Sequence, residues 1–122
     1  MASPTATIDK TLFIELYSLK ARIQTVMGDF LEAKDSLQYA NEIQSANFSP
    51  PVLLRGFYLS HFVFHLYQLE QSIKTGDPSD ISKKKINTLK TGKRAVNFSK
   101  KMAFERIENY KLMGVYYWLI HK

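Results

Sequence analysis

Glycine and proline join other turn-forming residues at three places, and the long stretches between those turns constrain the fold of the chain most. Gly28-Asp29 marks one turn, Ser49-Pro50-Pro51 a second and Thr75-Gly76-Asp77-Pro78-Ser79-Asp80 a third. The intervening segments are too long for ordinary strands, and none alternates apolar and polar residues with a period of two. They read as five helices near residues 8–27, 30–46, 51–75, 80–101 and 104–121. The expected fold is all-α, with residues 1–7 a disordered leader and 8–122 one domain. Within that domain we expect a hairpin over 8–46, a long hairpin over 51–101 and an unpaired last helix over 104–121. No Gly or Pro marks the boundary between the last two helices, so residues 80–121 as one bent helix is the alternative.

Local signals agree with this division. Leu12, Phe13, Leu16, Tyr17, Leu19, Ile23, Val26 and Met27 recur mostly at three- and four-residue steps, which predicts one apolar stripe on the first helix. Gly28 suits the left-handed residue that ends this helix, and Asp29 suits a cap for the next. The third helix is expected to begin at the proline pair, where a first turn tolerates a missing N–H. Asp80 and Ser82 are the expected caps of the fourth.

Composition narrows the function classes. With 45% apolar residues, eight Phe, seven Tyr and one Trp, the chain has enough apolar surface to form a core. There are no cysteines, which excludes disulfides and cysteine-ligated zinc and fits a reducing, cytoplasmic setting. Residues 1–7 have no basic start and no apolar run, so no secretory signal is read there. The most apolar window, 52–73, contains Arg55, His61, His65, Gln68, Glu70 and Gln71, and a buried helix explains it better than a membrane span. The net charge of +6 is uneven: residues 1–77 carry six Lys/Arg against eight Asp/Glu, and 78–122 carry eleven against three.

Small side chains recur where paired helices would cross. Tyr17 and Ala21 precede Gly28-Asp29, and Ala33, Leu37 and Ala40 follow it. This pattern resembles the tetratricopeptide repeat, with a large residue, a small one four later, a Gly-Asp-type turn and Ala-x3-large-x2-Ala on the second helix. Gly92, Val96 and Ser99 repeat the latter spacing, and Tyr110, Met113, Gly114 and Tyr117 match the first helix of a further unit. The two first-helix starts, 14 and 107, lie 93 residues apart, more than two repeats of about 34 residues require. The third and fourth helices are therefore longer than the family's. The resemblance implies antiparallel helical hairpins stacked as an α-solenoid fragment. In this register the next turn falls at about His121, leaving Tyr116, Tyr117, Trp118, Leu119 and Ile120 without a following helix. We therefore expect a fragment of a longer protein, or an end covered by oligomerisation. Residues 106–120 also look like helical-repeat regions of large multidomain signalling proteins that carry a P-loop ATPase module, although no ATPase motif is present.

Catalytic signals are absent. Gly28 and Gly92 are isolated and build no phosphate loop, and no nucleophile motif stands out. His61 and His65, four apart on one helix, have the spacing of a zinc pair but lack a third ligand, so semi-buried histidines in an aromatic core are expected and no metal or cofactor is assigned. Glu105 and Glu108 share a helix face and read as solvated surface. The basic residues Lys83, Lys84, Lys85, Lys90, Lys93, Arg94, Lys100 and Lys101 would face solvent, an acidic partner, or phosphates. No aromatics interleave with them for base stacking.

The expected function is a non-catalytic protein–protein interaction or intramolecular regulatory scaffold. Its groove would be lined by outward positions of the first and last helices, such as Lys20, Gln24, Lys111 and Val115. Tyr116, Tyr117 and Trp118 would form the face most in need of cover, through a protein partner, another domain of the same chain, or a second copy meeting at the C-terminal helix. The alternative is a basic helical nucleic-acid-binding domain.

Overall fold

A computed structural model describes residues 4–46, 54–99 and 103–121. These form five helices, α1 (Pro4–Met27), α2 (Phe30–Ala46), α3 (Arg55–Thr75), α4 (Pro78–Ser99) and α5 (Ala103–Ile120), with no strand among the described residues. The fold is all-α. Helix α1 begins at Pro4, so residues 4–7 are helical where a leader was expected; a first-turn proline loses no hydrogen bond because that N–H has no intrahelical acceptor. The Ser49-Pro50-Pro51 turn, and with it the expected start of the third helix, lies outside the described residues.

The same dipeptide closes both hairpins. After α1, Gly28 takes φ +87°, its N–H reaches Thr25 O (3.0 Å), and Asp29 N–H reaches Gln24 O (2.9 Å). That pair of bonds is the Schellman closure, which needs a left-handed residue. After α3, Gly76 takes φ +79° and its N–H reaches Ser72 O (2.9 Å), the simpler single-bond version. Asp77 then caps α4, its Oδ1 accepting from Ser79 N–H (3.1 Å), with Pro78 at the first helical position. The cap is thus Asp77 and not Asp80 or Ser82. Asp80 instead accepts the Ser72 hydroxyl and ties the first turn of α4 to the last turn of α3.

Helix α3 is the centre of the bundle and packs on all four others, whereas α2 and α4 do not touch. The α1–α2 and α3–α4 pairs are antiparallel, as are α4 and α5. Tyr116 of α5 reaches Lys85 O (3.4 Å), while Met113 lies over Gly92. Helices α4 and α5 are therefore two antiparallel helices and not a single bent helix over 80–121.

The seams are made of small residues. Ala21, Ala33 and Ala40 are completely buried between α1, α2 and α3, together with Leu37, Ile14, Phe57 and Phe64. Ser18 and Thr25 join them on α1, the Thr25 hydroxyl donating to Ala21 O (2.7 Å), so the buried donor is satisfied within its own helix. On α4 the buried small positions are Thr88, Gly92 and Ala95. They have the spacing expected for Gly92, Val96 and Ser99 but start one turn earlier, and Val96 is only partly buried. A Cβ on Gly92 would sit 2.6 Å from Met113 Sδ and 2.9 Å from the Phe62 ring, so this crossing requires glycine. The second core gathers Phe62, Leu66 and Leu69 of α3 with Ala95, Tyr116 and Leu119.

The apolar stripe expected on α1 points the other way. Ile14, Ser18, Ala21 and Thr25, at steps of four, three and four, are the buried face. Leu12, Leu16, Leu19, Ile23 and Val26 fall on the opposite side at about 100° per residue and are about half exposed or more (Leu16 51%, Ile23 53%). Two neighbours, α2 and α3, pack on the buried face, where the small Ser18, Ala21 and Thr25 of α1 leave room for Leu37, Phe57 and Phe64.

Candidate functional site

Because α2 and α4 stand apart, a cleft of about 320 Å³ opens between them. Its floor is α3, through Phe57, Tyr58, His61 and His65. Asn41 lines it from α2, and Asn87, Lys90, Thr91 and Arg94 line it from α4. Phe57 meets Tyr58 and His61 edge-on, with ring centroids 5.2 and 4.7 Å apart, and Tyr58 stacks on Phe98 at 3.9 Å. Both histidines are thus held by aromatic neighbours, His65 against Phe64 at 5.3 Å.

The lining carries two cations, two histidines and no carboxylate. Burial, with His65 and Arg94 nearby, lowers the His61 pKa to about 4. Burial, with Lys84 nearby, lowers His65 likewise to about 4. At neutral pH both rings are uncharged, with one donor and one acceptor nitrogen each. His61 Nε2 is buried and has no hydrogen-bond partner among the described residues. A positive field repels a divalent cation, and no group of three His, Cys, Asp or Glu is placed to hold a metal among those residues.

A second surface is the outward face of α1. Leu12, Leu16, Leu19, Ile23, Val26 and Met27 form a stripe about 24 Å long, taking 1.5 Å per residue over 16 residues. Toward its C-terminal end, Leu19, Ile23, Val26 and Met27 enclose a shallow apolar groove of about 290 Å³. Arg22 borders the groove; burial lowers its pKa, and the charge of Glu108 on α5 acts the other way. Helix α5 has an outward face of its own, with Ile107, Tyr110, Tyr117 and Trp118 exposed around Gly114, where an added Cβ would meet open space.

The expected partner-binding residues divide. Lys20, Lys111, Val115, Tyr117 and Trp118 are exposed. Gln24 is not free, since its Oε1 accepts the Ser36 hydroxyl (2.8 Å) across the α1–α2 seam. Tyr116 is in the core, as is Leu119, because they lie on the α4-facing side of α5. Of the basic residues, Lys90 and Arg94 reach the cleft and Lys84 influences His65, while Lys93 is exposed outside the cleft lining. Lys100 and Lys101 lie outside the described residues. Asn41, Asn87 and Thr91 were missed as site residues; on α4 the signal is Lys83-Asn87-Lys90-Arg94 at steps of four, three and four, one polar edge of a helix.

Compared with known proteins, the chain matches no family model, no curated protein and no solved structure. No described helix is long and apolar enough to cross a membrane.

Proposed function

We propose that this protein is a non-catalytic interaction scaffold, built from tetratricopeptide-like helical hairpins, that holds an amphipathic helix of a partner protein on the outward face of α1. The observation that carries the reading is the opposition of two faces on one helix. The small residues are buried within the chain, and the large aliphatic ones are presented outward. Burying a Leu or Ile side chain contributes about 1.5–3 kcal/mol, so a row of half-exposed ones retains much unused burial energy. Isolated apolar residues are ordinary on surfaces, but a contiguous stripe marks an interaction site.

Geometry selects the occupant. The backbone of α1 is occupied by its own helix, which leaves no edge for strand addition. A straight apolar stripe about four turns long matches the i, i+3, i+4, i+7 face of a partner helix of about 15 residues. Close-packed small seams, paired Gly-Asp turns and a central helix touching four neighbours support the repeat-like architecture.

The test is selection of displayed helical peptides against the wild-type protein, followed by titration against a Leu16→Glu/Ile23→Glu variant. Binding is expected to weaken at least a hundredfold while the thermal midpoint stays within a few degrees, because both side chains are already half in water. Failure to select any helical binder, or binders indifferent to the double substitution, would remove the α1 face from the reading.

A further inference from the structure

We propose that the cleft between α2 and α4 is a binding site for a phosphate monoester, its phosphate held by Lys90 and Arg94 and its organic body resting chiefly on Tyr58. The charge of the lining points to an anion, and two further observations point to a polar ligand site. The cleft is concave, and its 320 Å³ is at the small end of ligand-sized cavities. Its lining has two permanent cations and no carboxylate to neutralise them. His61, on its floor, keeps a buried Nε2 with no partner among the described residues, although buried polar atoms are almost always paired.

The surroundings reinforce that charge. At about 100° per residue, Lys34 and Asn41 share the α4-facing side of α2, whereas Asp35 and Glu42 are turned about 100° away from them. On α4, Lys83 continues the edge formed by Asn87, Lys90 and Arg94. Burial first, and then the positive charge of Arg94 beside His61 and of Lys84 beside His65, lowers both histidine pKa values.

A dianion suits the site better than a monoanion. Two fixed cations match two negative charges near neutral pH, and Arg94 offers the planar fork that pairs with phosphate oxygens. Asn41 and Asn87 add neutral donors for the remaining oxygens, while the Thr91 hydroxyl donates to Asn87 O (2.9 Å) within its own helix. The part of the floor open to an organic group is chiefly Tyr58, since Phe57 is only 4% exposed. Either a free small molecule or a phosphorylated side chain would supply this chemistry.

Titration calorimetry with phenyl phosphate, phenol and a short phosphotyrosine peptide tests the proposal. Phenyl phosphate is expected to bind one to one and phenol not to bind. A peptide at least tenfold tighter than phenyl phosphate identifies a phosphorylated side chain as the natural source; equal or weaker peptide binding identifies a small molecule. Arg94→Gln and Lys90→Gln should each weaken phenyl phosphate at least tenfold. Both residues are exposed, so these variants keep the fold, which a melting curve verifies. Lys93→Gln makes the same charge change on the same helix outside the cleft lining and should leave affinity within twofold. No phenyl phosphate binding at millimolar concentration, or an equal loss in Lys93→Gln and Arg94→Gln, would overturn the site.

Discussion

The two halves of this bundle combine small and large side chains in different proportions. Around α1 and α2 the seam sets the small Ser18, Ala21, Thr25, Ala33 and Ala40 among a few larger residues, Ile14 and Leu37, and most of the large aliphatic residues of α1 face out. Around α3 and α5 the interior is dominated by Phe62, Leu66, Leu69, Tyr116 and Leu119, with the small Thr88, Gly92 and Ala95 where α4 passes. Small seams allow helices to approach closely and so displace bulk to the surface, where it becomes available to another molecule. Wider seams need bulk to fill them and leave less over. An apolar residue therefore reports burial only after the spacing of its neighbours is known.

Truncating one large residue from each half tests the comparison most severely. Phe62→Ala should cost about 3–5 kcal/mol, since a buried ring leaves a cavity that close packing cannot refill. Leu16→Ala, an equally apolar position by sequence but half in water, should cost only about 1 kcal/mol. Urea unfolding of the two variants gives both numbers, and equal losses would mean that the α1 stripe is buried after all.

Acid separates the halves next. His61 and His65 belong to α3, and both have folded pKa values near 4 against an ordinary 6.5. Between those values the unfolded chain binds more protons than the folded one. Stability is therefore unaffected above about pH 6.5, falls as pH drops below it, and reaches its full loss below about pH 4. Thermal midpoints across pH 7.5 to 4 should show that decline, and His61→Gln/His65→Gln should flatten it. A wild-type profile as flat as the variant's would place the rings in solvent.

The smallest effect concerns two glycines at helix-interior positions. Gly92→Ala is expected to destabilise by about 1–3 kcal/mol, because the new methyl meets Met113 and the Phe62 ring. Gly114→Ala, with open space around it, should stabilise by up to about 1 kcal/mol through helix propensity alone. Thermal melts of both suffice, and a matching sign would erase the distinction between the filled face of α4 and the open face of α5.

Much of this architecture is legible in the residues. Long stretches without two-residue alternation specify helices, and Gly28-Asp29 marks a helix end because only a residue tolerant of positive φ closes it cheaply. The spacing of Ala33, Leu37 and Ala40 marks a buried face correctly. The recurrence of Gly-Asp at 76–77 was equally readable, and it places the cap of α4 at Asp77. The cleft was not, since its histidines are on α3 and its cations on α4, and nothing local says that α2 and α4 stand apart.

Local chemistry alone therefore determined that the chain is helical, where its hairpins close and that its charge is gathered in one half. Turn conformation and helical periodicity act over a few residues and need no distant partner. Only the tertiary arrangement decided which of the two faces of α1 is inside, that Tyr116 is core while Trp118 is surface, and that Lys90 and Arg94 look onto His61. Those outcomes depend on how near the helix axes come to one another, and that distance is set jointly by every side chain in the seam.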